Sequence, residues 1–219
     1  AEANAPVSEN RDAELRIVYA GAMSRVQKPE ILLKAQAELV ARDPTWAKQL
    51  NVEFYGPESP YFSARIRRWL GPGTHFGGFV PQAEMAAKVA AADLGFFSLA
   101  DATYAYATPT KLFDYIEAGV PIVASLPPGA SRDIVQGNEI GLVADAGDRE
   151  GLARCLQEMV RNEALRRQCR ANMQTIRERY HPQTQVDKWC KLLEDIRLKL
   201  FIDCKKQGAG GSGEPVETS

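Results

Sequence analysis

The chain has 219 residues, of which 45% are apolar and 25% charged, and its formal net charge is −1. That length supports one good-sized domain or two small ones, and the composition is ordinary for a globular chain. The charge balance gives no basic surface for nucleic acid or an anionic membrane, and no apolar run is long enough to cross a bilayer.

Residues 1–14 are polar and poor in bulky side chains, and read as a linker or disordered arm. Leu15 to Ala20 is an almost unbroken apolar run ending at Gly21, the pattern of a strand buried on both faces. The loop Gly21 to Lys28 leads to Pro29, which opens a helix carrying Ile31, Leu32, Ala35, Leu39 and Val40. The alternation then repeats: a strand over Val52 to Tyr55, a helix over Pro60 to Leu70 with Arg65, Arg67 and Arg68 on one face, and a strand over Thr74 to Val80. A helix follows from Pro81 through Ala92, then a strand over Leu94 to Leu99. After a loop from Ala100 to Ala107, Thr108 is positioned to cap a short helix with Pro109 at its first position. Gly119 is the left-handed stop, and Val120 to Ala124 is the next strand. Ser131 to Gln136 reads as a short helix and Ile140 to Ala144 as a short strand. Asp148 caps a helix with Leu152, Cys155, Leu156 and Met159 on one stripe; Leu165, Cys169, Met173 and Ile176 mark another. A last helix carries Val186, Trp189, Cys190, Leu193 and Ile196, and residues 204–219 read as a flexible tail.

Strands alternating with helices predict an α/β fold: a doubly wound, mostly parallel Rossmann-like sheet with helices on both faces and further helices at the C-terminus, over residues 15–203. In such sheets ligands bind beyond the carboxyl ends of the strands, where strand order reverses. That gathers the loops after Gly21, Gly56, Val80 and Leu99 around one crevice with the helix start at Pro109. Free amides and the positive end of the helix dipole favour an anion there. Lys111 adds a cation in the first turn, where the dipole favours acids; it fits if a diphosphate is bound, and a solvated face with Asp114 and Glu117 is the alternative.

Pro109-Thr110-Lys111-Leu112-Phe113-Asp114-Tyr115, followed by Gly119, Pro121, Ile122 and Val123, resembles the nucleotide-binding segment of the retaining, two-Rossmann-domain (GT-B) glycosyltransferases, group 1, family 4-like. The resemblance runs from about Leu15 to Tyr180 and implies the C-terminal, donor-binding half of such an enzyme. It implies that Asp114, standing for a glutamate, holds the ribose of a nucleoside diphosphate sugar, and that Pro109, Thr110, Lys111, Arg25 and Lys28 grip the diphosphate. Phe79 and Val80, in Gly77-Gly78-Phe79-Val80-Pro81, would frame the base, and Tyr106 and Thr108 would face the sugar. Tyr106 falls where the family carries an acid, which removes a charge. The alternatives for these residues are plain ones: cations on an exposed loop, glycines at a strand bulge, tyrosines packing a loop down.

No Asp-x-Asp triplet, dinucleotide fingerprint or Walker loop is present, and no metal or bound cofactor is expected. Cys155, Cys169, Cys190 and Cys204 have neither zinc nor redox spacing and read as reduced and mostly core-facing, consistent with a cytoplasmic protein. The polar start without Met reads as a fragment. The resemblance implies a missing N-terminal, acceptor-binding domain, through which membrane association would come; none is expected of this domain itself. The function expected is therefore the donor half of a retaining sugar transferase, inactive alone. The alternatives are a non-catalytic nucleotide-binding module or half of a nucleotide-sugar epimerase.

Overall fold

The structure, a computed structural model, describes residues 14–208. The arm expected over residues 1–14 lies outside the described residues except for Glu14, as does the tail from residue 209. Six strands form one sheet: β1 (Leu15–Ala20), β2 (Leu50–Tyr55), β3 (Thr74–Gly78), β4 (Leu94–Ser98), β5 (Ile122–Leu126) and β6 (Gly141–Asp145). Their spatial order is β3-β2-β1-β4-β5-β6, and every pairing is parallel. Strand order therefore reverses between β1 and β4. The helices are α1 (Glu30–Arg42), α2 (Trp46–Gln49), α3 (Gln82–Ala90), α4 (Thr110–Ala118), α5 (Ala130–Gly137), α6 (Arg149–Arg161), α7 (Glu163–Tyr180) and α8 (Pro182–Gly208).

The side chains of β1, β4 and β5 are buried almost throughout, because helices cover the sheet on both sides. On one side Ile17, Tyr19, Phe54, Phe96 and Val123 pack under Leu32, Leu33 and Leu39 of α1 and Leu152, Leu156 and Met159 of α6. Each such side chain is worth about 1.5–3 kcal/mol of burial. On the other side α3 and α4 lie together. At the amino end of the sheet the Arg16 guanidinium forks the Glu53 carboxylate, 2.9 Å to each oxygen, and Tyr55 donates to the same carboxylate at 2.8 Å.

Several expected elements move. Residues 60–70, expected as one helix, form a wide turn over Phe62–Ile66 and a tight 3₁₀ turn over Arg67–Trp69; Ile66 is fully buried there, and Tyr61, Trp69 and Leu70 pack partly buried against the core. β3 stops at Gly78, whose φ of +70° turns the chain, so Phe79 and Val80 lie beyond the strand. β5 starts at Ile122: Gly119 closes α4 in the left-handed conformation (φ 68°), and Pro121 has no N–H for a ladder. Asp148 does cap α6, its carboxylate accepting from the Gly151 amide at 2.8 Å.

The chain divides after Arg177 into two compact units. The first holds the sheet and its helices. The second holds α8, which extends to Gly208 and so includes residues 204–208 of the expected tail. Val186, Trp189, Leu193 and Ile196 of α8, read as a packing stripe, are exposed, and so is Cys190. Cys169 is buried and Cys155 half-buried. Among the described residues no helix is long and apolar enough to cross a membrane.

Candidate functional site

The loops beyond β1, β2 and β3 are stitched together by backbone hydrogen bonds: the Gly21 amide donates to Tyr55 O and the Gly56 amide to Gly78 O, each at 2.8 Å. The loop from Gly21 to Pro29 is also fastened across the strand reversal. Ala100 N donates to Val26 O at 2.8 Å, and the Ser98 hydroxyl donates to the Gln27 carbonyl. Beyond β4, Asp101 accepts from Thr103 N at 3.0 Å, and Ala130 N and the Ser131 hydroxyl hold the loop at Ala105 O (2.9 Å) and Ala107 O (2.6 Å).

This frame presents the start of α4. Thr108 does not cap the helix. Pro109 takes the N-cap place in an extended conformation (φ −59°, ψ 144°), so the first helical residue is Thr110 and Thr108 stands too far out to reach the first turn. Leu112 N donates to Pro109 O at 3.0 Å, leaving the Thr110 and Lys111 amides with no backbone acceptor among the described residues. Thr110 and Asp114 are exposed along one face, while Lys111, Leu112, Tyr115 and Ile116 are buried.

Lys111 is not part of a solvated face; it is 7% exposed. Its ammonium lies 4.8 Å from the centre of the Tyr19 ring, directly under the loop after β1. A Cβ on Gly21 would sit 3.1 Å from Lys111 Nζ, so the glycine, at φ +113°, leaves the room the lysine uses. Among the described residues no carboxylate is within ion-pair distance of it. Burial pulls its pKa down to about 8, against a weaker pull upward from Asp114. Surrounding protein pushes the Asp114 carboxyl up, and Lys111 pulls it back.

Tyr115, one turn further, bolts the helix to the sheet. Its hydroxyl lies 3.0 Å from Val18 O and 2.9 Å from Phe96 O. Those carbonyls stand where the β1–β4 pairing, confined to Ile17 with Leu94 and Val18 with Gly95, gives out. The ring presses on Gly95, where a Cβ would fall 2.6 Å from it.

The other expected site residues spread along the same edge. Arg25 and Lys28 are exposed in the loop after β1, Lys28 with a left-handed backbone (φ 41°). Phe79 is 74% exposed and Val80 half-buried beyond the edge strand β3; Tyr106 is 79% exposed in the loop before α4. Asp114 borders a groove of about 340 Å³ between α3 and α4, with Met85, Val89 and Arg177. Lys28 instead lines the rim of a cavity of about 520 Å³ over the ends of β4, β5 and β6, between the starts of α1 and α6. Ser98, Ser125, Lys34 and Arg149 share that cavity and escaped the sequence reading. The available signal was a serine at the last position of one apolar strand and the last but one of another. Among the described residues no group of three or more His, Cys, Asp or Glu side chains forms a metal site.

The profile of the glycosyl transferases group 1 family matches residues 14–162. The chain belongs to this family. It is 27% identical over 161 residues to a D-inositol 3-phosphate glycosyltransferase of a Nocardioides species, a match covering 68% of this chain and 35% of that protein. The fold is similar to that of a sucrose-phosphate synthase from Thermosynechococcus elongatus (TM-score 0.67, 18% identity, 85% of this chain and 46% of that one). It is similar also to an α,α-trehalose-phosphate synthase (UDP-forming) from Burkholderia xenovorans (TM-score 0.65, 11% identity, 84% and 44%). This glycosyltransferase domain thus spans about a third to a half of the length of the proteins it matches.

Proposed function

We propose that this domain is the donor-binding half of a retaining glycosyltransferase and takes a nucleoside diphosphate sugar at the start of α4. One observation carries the reading: the buried Lys111 ammonium, without a carboxylate partner among the described residues, next to two free helix amides at the reversal of strand order. A buried cation without a counter-ion is costly, and a diphosphate completes it. The Thr110 and Lys111 amides and the Lys111 ammonium take the diphosphate, with Arg25 and Lys28 closing over it from the loop after β1. Asp114 accepts from the ribose hydroxyls, Phe79 stacks on the base with Val80 at its edge, and Tyr106 and Thr108 lie toward the sugar. The proteins this domain is similar to, a glycosyltransferase, a sucrose-phosphate synthase and a UDP-forming trehalose-phosphate synthase, support a sugar donor.

In the reaction the bond from the anomeric carbon to the diphosphate oxygen breaks and the diphosphate leaves with the bonding pair. An acceptor hydroxyl oxygen bonds to the carbon on the same face and gives up its proton. The domain's part is to neutralise charge growing on the leaving group, which preorganised donors do without rearrangement. Calorimetric titration with uridine, guanosine and adenosine diphosphates tests the site. At least one binds the wild type, Lys111→Met abolishes that binding, and Asp114→Ala weakens it about tenfold, the scale of one charged hydrogen bond. A folded wild type that binds none of them at millimolar concentration removes the proposal.

A second reading rests on Tyr106, a fully presented phenol where the resembled enzymes carry an acid. It makes the domain a nucleotide-binding module without transfer. An intact protein that binds a nucleotide sugar and never releases nucleotide from it favours that module.

A further inference from the structure

We propose that Tyr19 is a positioning residue for the donor site: the face of its ring holds the Lys111 ammonium at the start of α4, and its hydroxyl fixes the loop after β1 above that ammonium. The inference rests on the donor reading above and adds to it a residue buried beneath the ligand. Tyr19 stands near the end of β1 and is fully buried. Its ring packs in the core against Phe54, with centroids 5.4 Å apart, and against Phe96, at 6.4 Å. A ring wedged between two others in a close-packed core keeps one orientation. Its hydroxyl donates to Ala22 O at 2.6 Å. Ala22 follows Gly21 in the loop that carries Arg25 and Lys28, so one side chain braces that loop and meets the lysine beneath it.

Among the described residues the Lys111 ammonium has neither a hydrogen-bond acceptor nor a carboxylate at ion-pair distance. What it has is the electron-rich face of Tyr19, 4.8 Å from Nζ to the ring centre. A cation over an aromatic face is held most strongly when both are out of water, as here. Gly21 closes the other side: a Cβ there would stand 3.1 Å from Nζ and 3.3 Å from Cε. The ring and the glycine thus leave a long, flexible side chain little freedom, and a cation already in place neutralises a leaving group without rearranging. The charged groups around it are few. Asp114 lies on its own helix, the loop after β1 brings Arg25 and Lys28, and α3, packed against α4, carries Glu84 and Lys88, the latter over the Tyr55 ring at 4.8 Å. Of these Asp114 is the one that pulls on the Lys111 proton, so the ring is the other group that keeps the amine charged.

The test compares Tyr19→Phe with a protein in which Tyr19 is replaced by trifluorophenylalanine, a ring of nearly the same shape whose fluorines drain charge from its face. Thermal unfolding verifies each fold. Lys111 is titrated in the ligand-free proteins by carbon NMR of its ε-methylene, and the nucleoside diphosphate that binds best in the titration above is measured by calorimetry from about pH 6 to about pH 9. Fluorination lowers the Lys111 pKa by about half a pH unit, because a poorer ring face favours the charged form less. Relative to Tyr19→Phe, the fluorinated protein then binds about threefold more weakly at about pH 9 and almost equally at about pH 6, where both keep the ammonium. The nucleotide's own protons are common to both proteins and cancel in that ratio. Tyr19→Phe keeps the ring face and loses the hydroxyl, so it binds more weakly than wild type by a similar factor at every pH. An unchanged Lys111 pKa on fluorination, or a ratio flat with pH, overturns the role of the ring; Tyr19→Phe binding as tightly as wild type overturns that of the hydroxyl. If no nucleoside diphosphate binds, the donor reading itself fails and this inference with it; binding that Lys111→Met abolishes but fluorination leaves untouched sinks the inference alone.

Discussion

At the scale of a residue, Lys111 shows how a buried charge can oppose the stability of its own fold. Its pKa falls from 10.5 to about 8 because folding buries the charge. Below pH 8 both folded and unfolded chains hold the proton, and the folded chain carries the full cost of the buried charge. Between about 8 and 10.5 the unfolded chain binds more protons, so stability rises with pH and the penalty is gone above 10.5. That gap corresponds to roughly 3 kcal/mol at about 1.4 kcal/mol per pH unit. Lys111→Met is therefore expected to raise the melting temperature at pH 7, by about 2–4 °C per kcal/mol recovered, and the gain shrinks as the scan is repeated toward pH 10. Affinity for a diphosphate moves the other way. It holds on the acid side of pH 8 and declines above it, as the ammonium loses its proton. A melting temperature lowered by the methionine, or affinity flat across pH 7–10, contradicts this account of Lys111. The lysine at this helix start was visible in the sequence as an anomaly, a cation in a first helical turn. Its burial was not, because that depends on Gly21, ninety residues away, having no side chain.

At the scale of elements, the Gly95–Tyr115 contact sets how closely α4 approaches the sheet. Gly95→Ala puts a methyl carbon 2.6 Å from the ring, and a ring anchored to two carbonyls has nowhere to go. Overpacking of this kind costs about 1–3 kcal/mol, and the loss is measured in denaturant as a lower midpoint with unchanged slope. The elements themselves were largely legible. The apolar run Leu15 to Ala20 is β1 to the residue, Gly119 does end α4, and Asp148 does cap α6, since each signal is local: burial on both faces, a left-handed stop, a short carboxylate ahead of a free amide. What failed was decided elsewhere. Thr108 lost its cap to the restriction Pro109 places on its neighbours, and residues 60–70 break into a wide turn and a 3₁₀ turn as Tyr61, Ile66, Trp69 and Leu70 settle on the core. For the candidate site, the helix start and Gly119 could be read off one stretch. The cavity at Ser98, Ser125 and Arg149 could not, since three strand ends far apart in sequence meet there only in the folded sheet.

At the scale of the whole molecule, the domain spans about a third to a half of the proteins it resembles, and the donor reading leaves acceptor and catalytic groups to the remainder. The chain by itself is expected to bind a nucleotide sugar without releasing nucleotide from it, as followed by chromatography of the incubated mixture. Steady turnover by the isolated chain contradicts that division of labour. The Tyr115 hydroxyl has a dynamic consequence for the molecule as well. Because it lies against carbonyls of both β1 and β4 at the seam where their own ladder stops, α4 can lift only by giving up its hold on both central strands and leaving two buried carbonyls short of a donor. The amides of α4 should then exchange with deuterium as slowly as those of β4, through the same rare global opening, while the loops after β1 and β4 exchange early. Entry of a ligand would have to be accommodated by those loops over an immobile floor.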